Sequence, residues 1–174
     1  MPKRPDLVSW LHPALQVGRS AIHGSGVFTA QELISGTLVI RFGGFMYPAR
    51  QRYNHRSLAA NSIVGISEDV LLAEPQSAEL DPSDFLNHSC APNLGLLDAI
   101  SLVVIEAVTA GSELTADYGY WELDENYRMG APCNCQSRNC RRVITGKDWR
   151  GRSGHLEHWA APFIRRRIDQ LSQQ

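Results

Sequence analysis

The stretch Asn87-His88-Ser89-Cys90-Ala91-Pro92-Asn93 places an imidazole, a thiol and two carboxamides within seven residues. Its cysteine stands alone in the first 130 residues. The other three lie together in Cys133-Asn134-Cys135-Gln136-Ser137-Arg138-Asn139-Cys140, a C-x-C-x4-C cluster. Three clustered thiolates and one distant partner supply the four soft ligands of a closed tetrahedral zinc site. Cys90, Cys133, Cys135 and Cys140 are therefore the candidate ligands of a structural zinc. Such a metal would pin a poorly apolar C-terminal segment onto the body and leave no open position for catalysis. Two disulfides are the rival arrangement, but nothing else in the chain points to an oxidising compartment. Four unrelated reduced thiols are the plainest alternative, and the clustering argues against it.

Around these motifs the composition is that of one compact domain: 174 residues, 43% hydrophobic and 20% charged. Seventeen Lys and Arg stand against 18 Asp and Glu, a formal net charge of −1. A protein that coats nucleic acid carries a basic excess, so no direct nucleic-acid binding is expected. No stretch approaches the ~20 apolar residues of a membrane span. The start, Met1 to Leu11, lacks the apolar core and cleavage site of a secretory signal. These features predict an intracellular chain, cytoplasmic if bacterial, with nuclear or nucleoid association left open.

The charge is unevenly spread. Residues 1–56 carry Lys3, Arg4, Arg19, Arg41, Arg50, Arg52 and Arg56 against two acids. Residues 57–127 carry 13 acids and no Lys or Arg, and residues 128–174 return ten basic groups and three acids. Either the fold interleaves these blocks so that they neutralise each other, or an acidic face receives a basic ligand.

From Leu15 to Gly119 the chain reads as short strands separated by Gly, Pro, Ser and Asn. Val27–Thr29, Thr37–Phe42, Ser62–Ile66, Val70–Leu72 and Ser101–Ile105 are β-branched or apolar runs of strand length. Gly36 and Ala110-Gly111 mark turns, and Asp81-Pro82-Ser83 marks a capped helical turn. In the tail, Leu156, Trp159, Phe163, Ile164, Ile168 and Leu171 repeat at helical spacing, with Pro162 suited to a first turn. The reading is mostly β (α+β) with one or two terminal helices.

The heptad Asn87 to Asn93 resembles the N-H-S-C-x-P-N signature of SET-domain protein lysine methyltransferases, and three further motifs follow suit. His23-Gly24-Ser25-Gly26-Val27 is similar to the family's G-x-G cofactor loop. Glu113-Leu114-Thr115-Ala116-Asp117-Tyr118-Gly119 is similar to its E-L-x-(Y/F)-D-Y-G strand and turn. Cys133-x-Cys135-x4-Cys140 resembles its post-SET segment, whose fourth ligand is the heptad cysteine, here Cys90. The resemblance implies a SET domain over 15–121, a post-SET zinc segment over 129–145 and a helical tail over 146–174. It implies small curved β-sheets with a knot-like core.

It also implies S-adenosylmethionine as cofactor and a protein lysine, in a basic segment of a histone or another protein, as substrate. The implied cofactor residues are His23, Gly24, Ser25, Gly26, Val27, Asn87, His88 and Tyr118. Gly24 and Gly26 would let the backbone approach the cofactor where a β-carbon collides. Asn87 and His88 would bond its amino end and adenine. Tyr118 would be catalytic, orienting the amine beside the methyl, while Phe42, Ala116, Tyr120 and Trp121 would line the lysine channel. Tyr120 and Trp121 also read as simple packing residues. Two positions depart from the family pattern. Ala116 stands where a Tyr or Phe is usual, and Phe42 and Gly44 replace the Tyr and Glu of a Y-x-G-E strand. A roomier channel end predicts transfer beyond the first methyl group. The alternative function is a catalytically weak module that binds cofactor or peptide without turnover.

Overall fold

The computed structural model describes residues 8–53, 57–151 and 154–173. Lys3, Arg4, Arg56 and the first seven residues of the N-terminal reading lie outside the described residues. Among the described residues, eleven strands form three small sheets. The first holds β1 (Trp10–Leu11), β4 (Leu38–Arg41), β10 (Ser101–Val104) and β9 (Leu94–Leu96), in that order. The second holds β2 (Leu15–Arg19), β3 (Ser25–Thr29), β11 (Glu113–Ala116) and β8 (Asn87–His88). In the third, β7 (Val70–Ala73) lies between β5 (Phe45–Pro48) and β6 (Val64–Gly65). Two helices follow, α1 (Gly154–Trp159) and α2 (Pro162–Ser172), the second opened by Pro162 as the sequence predicts. Among the described residues, no helix is long and apolar enough to cross a membrane.

Among the described strands, all pairings are antiparallel except one. β8 and β11 run parallel, with Asn87 opposite Thr115 and His88 opposite Ala116. Parallel neighbours need a long connection, and here it passes through β9 and β10 of the first sheet. This crossover sets the heptad beside the segment that carries Tyr118. The turns fall where glycine allows them: Gly36 and Gly111 both have φ of +83°. The expected helical turn is a short 3-10 turn over Pro82–Phe85, entered by an Asp81 N–H bond to Asp84 Oδ2 at 2.8 Å.

One apolar cluster joins the sheets to the tail. Val39, Leu102 and Leu114 from the strands pack with Leu156, Phe163 and Ile164 from the helices, all fully buried. A Cβ on Gly95 of β9 would collide with the Trp159 ring, so α1 lies directly on the first sheet. Opposite charges are partly interleaved: Glu68 pairs with Arg167, Asp117 with Arg141 and Glu125 with Arg150. Three further acids of the same block, Asp84, Glu122 and Asp124, line a cleft.

Candidate active site and metal centre

A cleft of about 910 Å³ opens between four main segments that are remote in sequence, with Phe42, Ala60, Asn61, Ile63 and Val64 also in its lining. Ile22–Ser25 precede and open β3; Leu86–His88 lead into and form β8; Tyr118 and Trp121 follow β11; Arg128–Asn134 cover the fourth side. Asn134 Nδ2 donates to the carbonyls of Ala21 and Ile22 at 3.2 and 3.4 Å, tying the cysteine-rich segment to the glycine loop.

Of the residues expected at the cofactor, His23, Gly24, Ser25, Asn87, His88 and Tyr118 line this cleft. Gly24 has a φ of +50° and open space beside its Cα. Gly26 and Val27 are placed elsewhere. Val27 is fully buried in the apolar core, and a Cβ on Gly26 would collide with Glu113 Oε1. Gly26 therefore gives room to a neighbouring side chain, which spacing could not show.

His88 turns both ring nitrogens into the protein. Its Nδ1 accepts the Tyr118 N–H at 3.2 Å, and its Nε2 faces Cys90 Sγ at 3.3 Å and Arg141 Nη2 at 3.4 Å. Burial holds its pKa down to about 4, so the imidazole is neutral. What His88 offers the cleft is its ring face and backbone. Tyr118 donates its O–H to the Leu86 carbonyl at 3.0 Å, and burial pushes its pKa up to about 12. The phenol therefore stays protonated.

Of the expected channel residues, Phe42 and Trp121 line the cleft, with ring centroids 5.5 Å apart and edge to face. The Tyr118 and Trp121 centroids are 6.0 Å apart. Ala116 and Tyr120 are fully buried in the core behind this wall. The Tyr120 O–H has no partner among the described residues and its ring meets His155 edge-on.

The four cysteine sulfurs lie within 4.8 Å of one another, and Cys90 Sγ is 4.0 Å from Cys133 Sγ. A disulfide needs about 2.05 Å, so the rival arrangement is absent and all four thiols are free. Four sulfurs at about 2.3 Å from one zinc would be spaced by about 3.8 Å, so the donor set fits that ion. The Cys90 N–H points at Cys135 Sγ (3.5 Å) and the Arg141 N–H at Cys90 Sγ (3.3 Å), which favours thiolates.

Asp117 and Glu113 organise the site through three residues that no motif contains. Asp117, fully buried, accepts from Gly119 N–H at 2.9 Å, Arg141 Nη2 at 2.8 Å and His155 Nε2 at 2.8 Å. Burial alone would raise its pKa; the His155 and Arg141 contacts outweigh that and hold it at about 2. Glu113 accepts from Ser20 and Asn87. Nothing local in the sequence marks Arg141, His155 or Ser20 as partners of these acids.

The comparisons with known proteins agree with this geometry. Histone-lysine N-methyltransferase 2B of Homo sapiens is 28% identical over 144 residues, 75% of this chain and 5% of that protein. Histone-lysine N-methyltransferase SUVR5 of Arabidopsis thaliana is 26% identical over 165 residues, 80% of this chain and 12% of that protein. The chain thus spans a small part of these relatives. Among solved structures, KRYPTONITE in complex with mCHG DNA and SAH superposes with a TM-score of 0.57 at 24% identity, over 74% of this chain and 28% of that one. Residues 24–119, more than half of the sequence, match the SET domain family description. With the parallel β8–β11 pair and the four-thiol centre beside it, the chain belongs to the SET domain family.

Proposed function

We propose that the chain transfers a methyl group from S-adenosylmethionine to the ε-amine of a lysine in a protein segment. The observation that carries this reading is the single cleft in which the Gly24 loop, Asn87 and the Tyr118 phenol meet. The histone-lysine N-methyltransferase names of the relatives support it. So do the KRYPTONITE structures, which contain SAH and, in one case, an H3(1-15) peptide. When bound, S-adenosylmethionine supplies an electrophilic methyl group on a positively charged sulfur. His23, Gly24, Ser25 and Asn87 would hold it by backbone groups and a carboxamide, beneath the segment that the zinc staples. The lysine would enter along Phe42, Tyr118 and Trp121.

A free lysine with a pKa near ~10.4 is less than about 0.1% neutral at pH 7. The aromatic walls lower that pKa by excluding water from the ammonium. Tyr118 then orients the neutral amine: its own proton is committed to Leu86, so its oxygen accepts an amine N–H and fixes the lone pair. Asp84, Glu122 and Asp124 on the cleft wall favour a basic segment around the target. The formal net charge of −1 favours a protein over a nucleic acid as the partner. The test is incubation with labelled S-adenosylmethionine and a panel of histones and host-cell proteins. Label on lysine supports transfer. Cofactor binding without label would assign the chain to the weak binding module instead.

A further inference from the structure

Glu113 stands behind the cleft rather than in its wall, yet two pieces of the cleft hang on its carboxylate. The Ser20 O–H donates to its two oxygens at 2.8 and 2.9 Å, and Asn87 Nδ2 donates to Oε1 at 2.8 Å. Ser20 Oγ in turn accepts the N–H groups of Ile22 at 2.9 Å and His23 at 3.3 Å. Gly26 is glycine because a Cβ there would displace Glu113 Oε1.

These bonds decide which way Asn87 faces. Three acceptors surround its Nδ2: Glu113 Oε1, the Ser25 carbonyl at 2.9 Å and the His23 carbonyl at 3.2 Å. Only an NH₂ group suits such surroundings, which removes the usual ambiguity of an amide flip. Its Oδ1 accepts nothing among the described residues, while Asn87 lies on the cleft wall. We infer that Glu113 is a positioning residue: it holds Asn87 with Oδ1 toward the cleft and so makes that end selective for a cationic hydrogen-bond donor. For the ligand proposed above that donor is the α-ammonium of the amino-acid end, so the inference rests on the methyl-transfer reading. The Glu113 anion adds to the effect, because charge on the far side of the amide strengthens its oxygen as an acceptor.

The test is calorimetric titration of the full-length, zinc-loaded protein with SAH and with an SAH analogue lacking the α-amino group. Wild type should bind SAH the more tightly. Glu113→Gln, which removes the charge facing Asn87 Nδ2 and leaves only the Ser25 and His23 carbonyls to hold the carboxamide, should weaken SAH by about tenfold, or ~1.4 kcal/mol. The analogue should change by less than about twofold, and on an Asn87→Ala background Glu113→Gln should alter SAH affinity no further. Ser20→Ala, which keeps the charge but loosens it, should shift the same ratio less, and serves if Glu113→Gln does not fold. Equal weakening of both ligands, or a wild type without preference between them, would overturn the inference alone. A wild type that binds neither ligand would overturn the cofactor reading and this inference together.

Discussion

Asp117→Asn should be the most destabilising of the conservative substitutions near the cleft. The carboxylate is fully buried and joins three parts of the chain: its own turn through Gly119, the cysteine segment through Arg141 and the tail through His155. An asparagine keeps the shape but carries no charge, and its NH₂ must face a donor. Removing one partner of a buried ion pair costs about 3–5 kcal/mol. The Arg141 side chain is 24% exposed, so water relieves part of its stranded charge; the lower end, about 3 kcal/mol, is expected. For a chain of this size that lowers Tm by about 6–12 °C. The sign with pH follows from the depressed pKa. Moving from an ordinary 3.8 to about 2, the carboxylate contributes about 2 kcal/mol that is fully present above pH 4. That part is lost as pH falls toward 2. Thermal unfolding followed by circular dichroism with excess zinc at pH 7 measures the first effect. Urea titrations between pH 5 and 2 measure the second as the gap between wild type and variant, since metal release at low pH is common to both. A Tm drop below about 3 °C at pH 7 would refute the reasoning, as would a gap unchanged between pH 5 and 2.

Four other outcomes are expected. Chelation of zinc should raise hydrogen exchange from about residue 130 onward and abolish activity, because metal binding and folding of that segment are coupled; unchanged exchange would contradict the staple. Tyr118→Phe should lower turnover far more than SAH affinity, since its oxygen acts on the reacting amine, and equal losses would assign Tyr118 to binding. Peptide KM should rise modestly with salt if the half-buried Asp84 and Asp124 receive the substrate, because charges that reach solvent are screened over about 10 Å at 0.1 M; a flat profile would argue against that role. Ala116→Tyr should lower Tm rather than narrow the channel, because Ala116 is fully buried behind the wall of Phe42 and Trp121 and does not border the cleft; a variant of unchanged Tm whose product distribution shifts would contradict this.

The readable parts of this protein are those whose chemistry is local. Cys90 and the Cys133–Cys140 cluster announce a metal by residue type and spacing, and the four motifs carry the family. Runs such as Val70–Leu72 and Ser101–Ile105 show their strands because β-branched and apolar residues of the right length form them. β8 and β9 were beyond such reading. At two and three residues they are too short to show a period, and they exist only because distant partners pair with them. The helical tail was legible as helix from its spacing, but its seat on β9 depends on Gly95, which is unremarkable until Trp159 is brought against it.

The same division runs through the site. Tyr118, Asn87 and His88 could be named from their motifs, yet the direction in which His88 and Asn87 turn their polar atoms could not. That is decided by Cys90, the Tyr118 backbone and Glu113, which chain closure alone brings within reach. Glu113 meets Ser20 across 93 positions and Asp117 meets His155 across 38. A hydrogen bond acts over about 3 Å and carries no trace along the sequence of the partner it will find. The residues proposed for the chemistry are therefore written in the chain, while the residues that hold them in place are assigned by the fold.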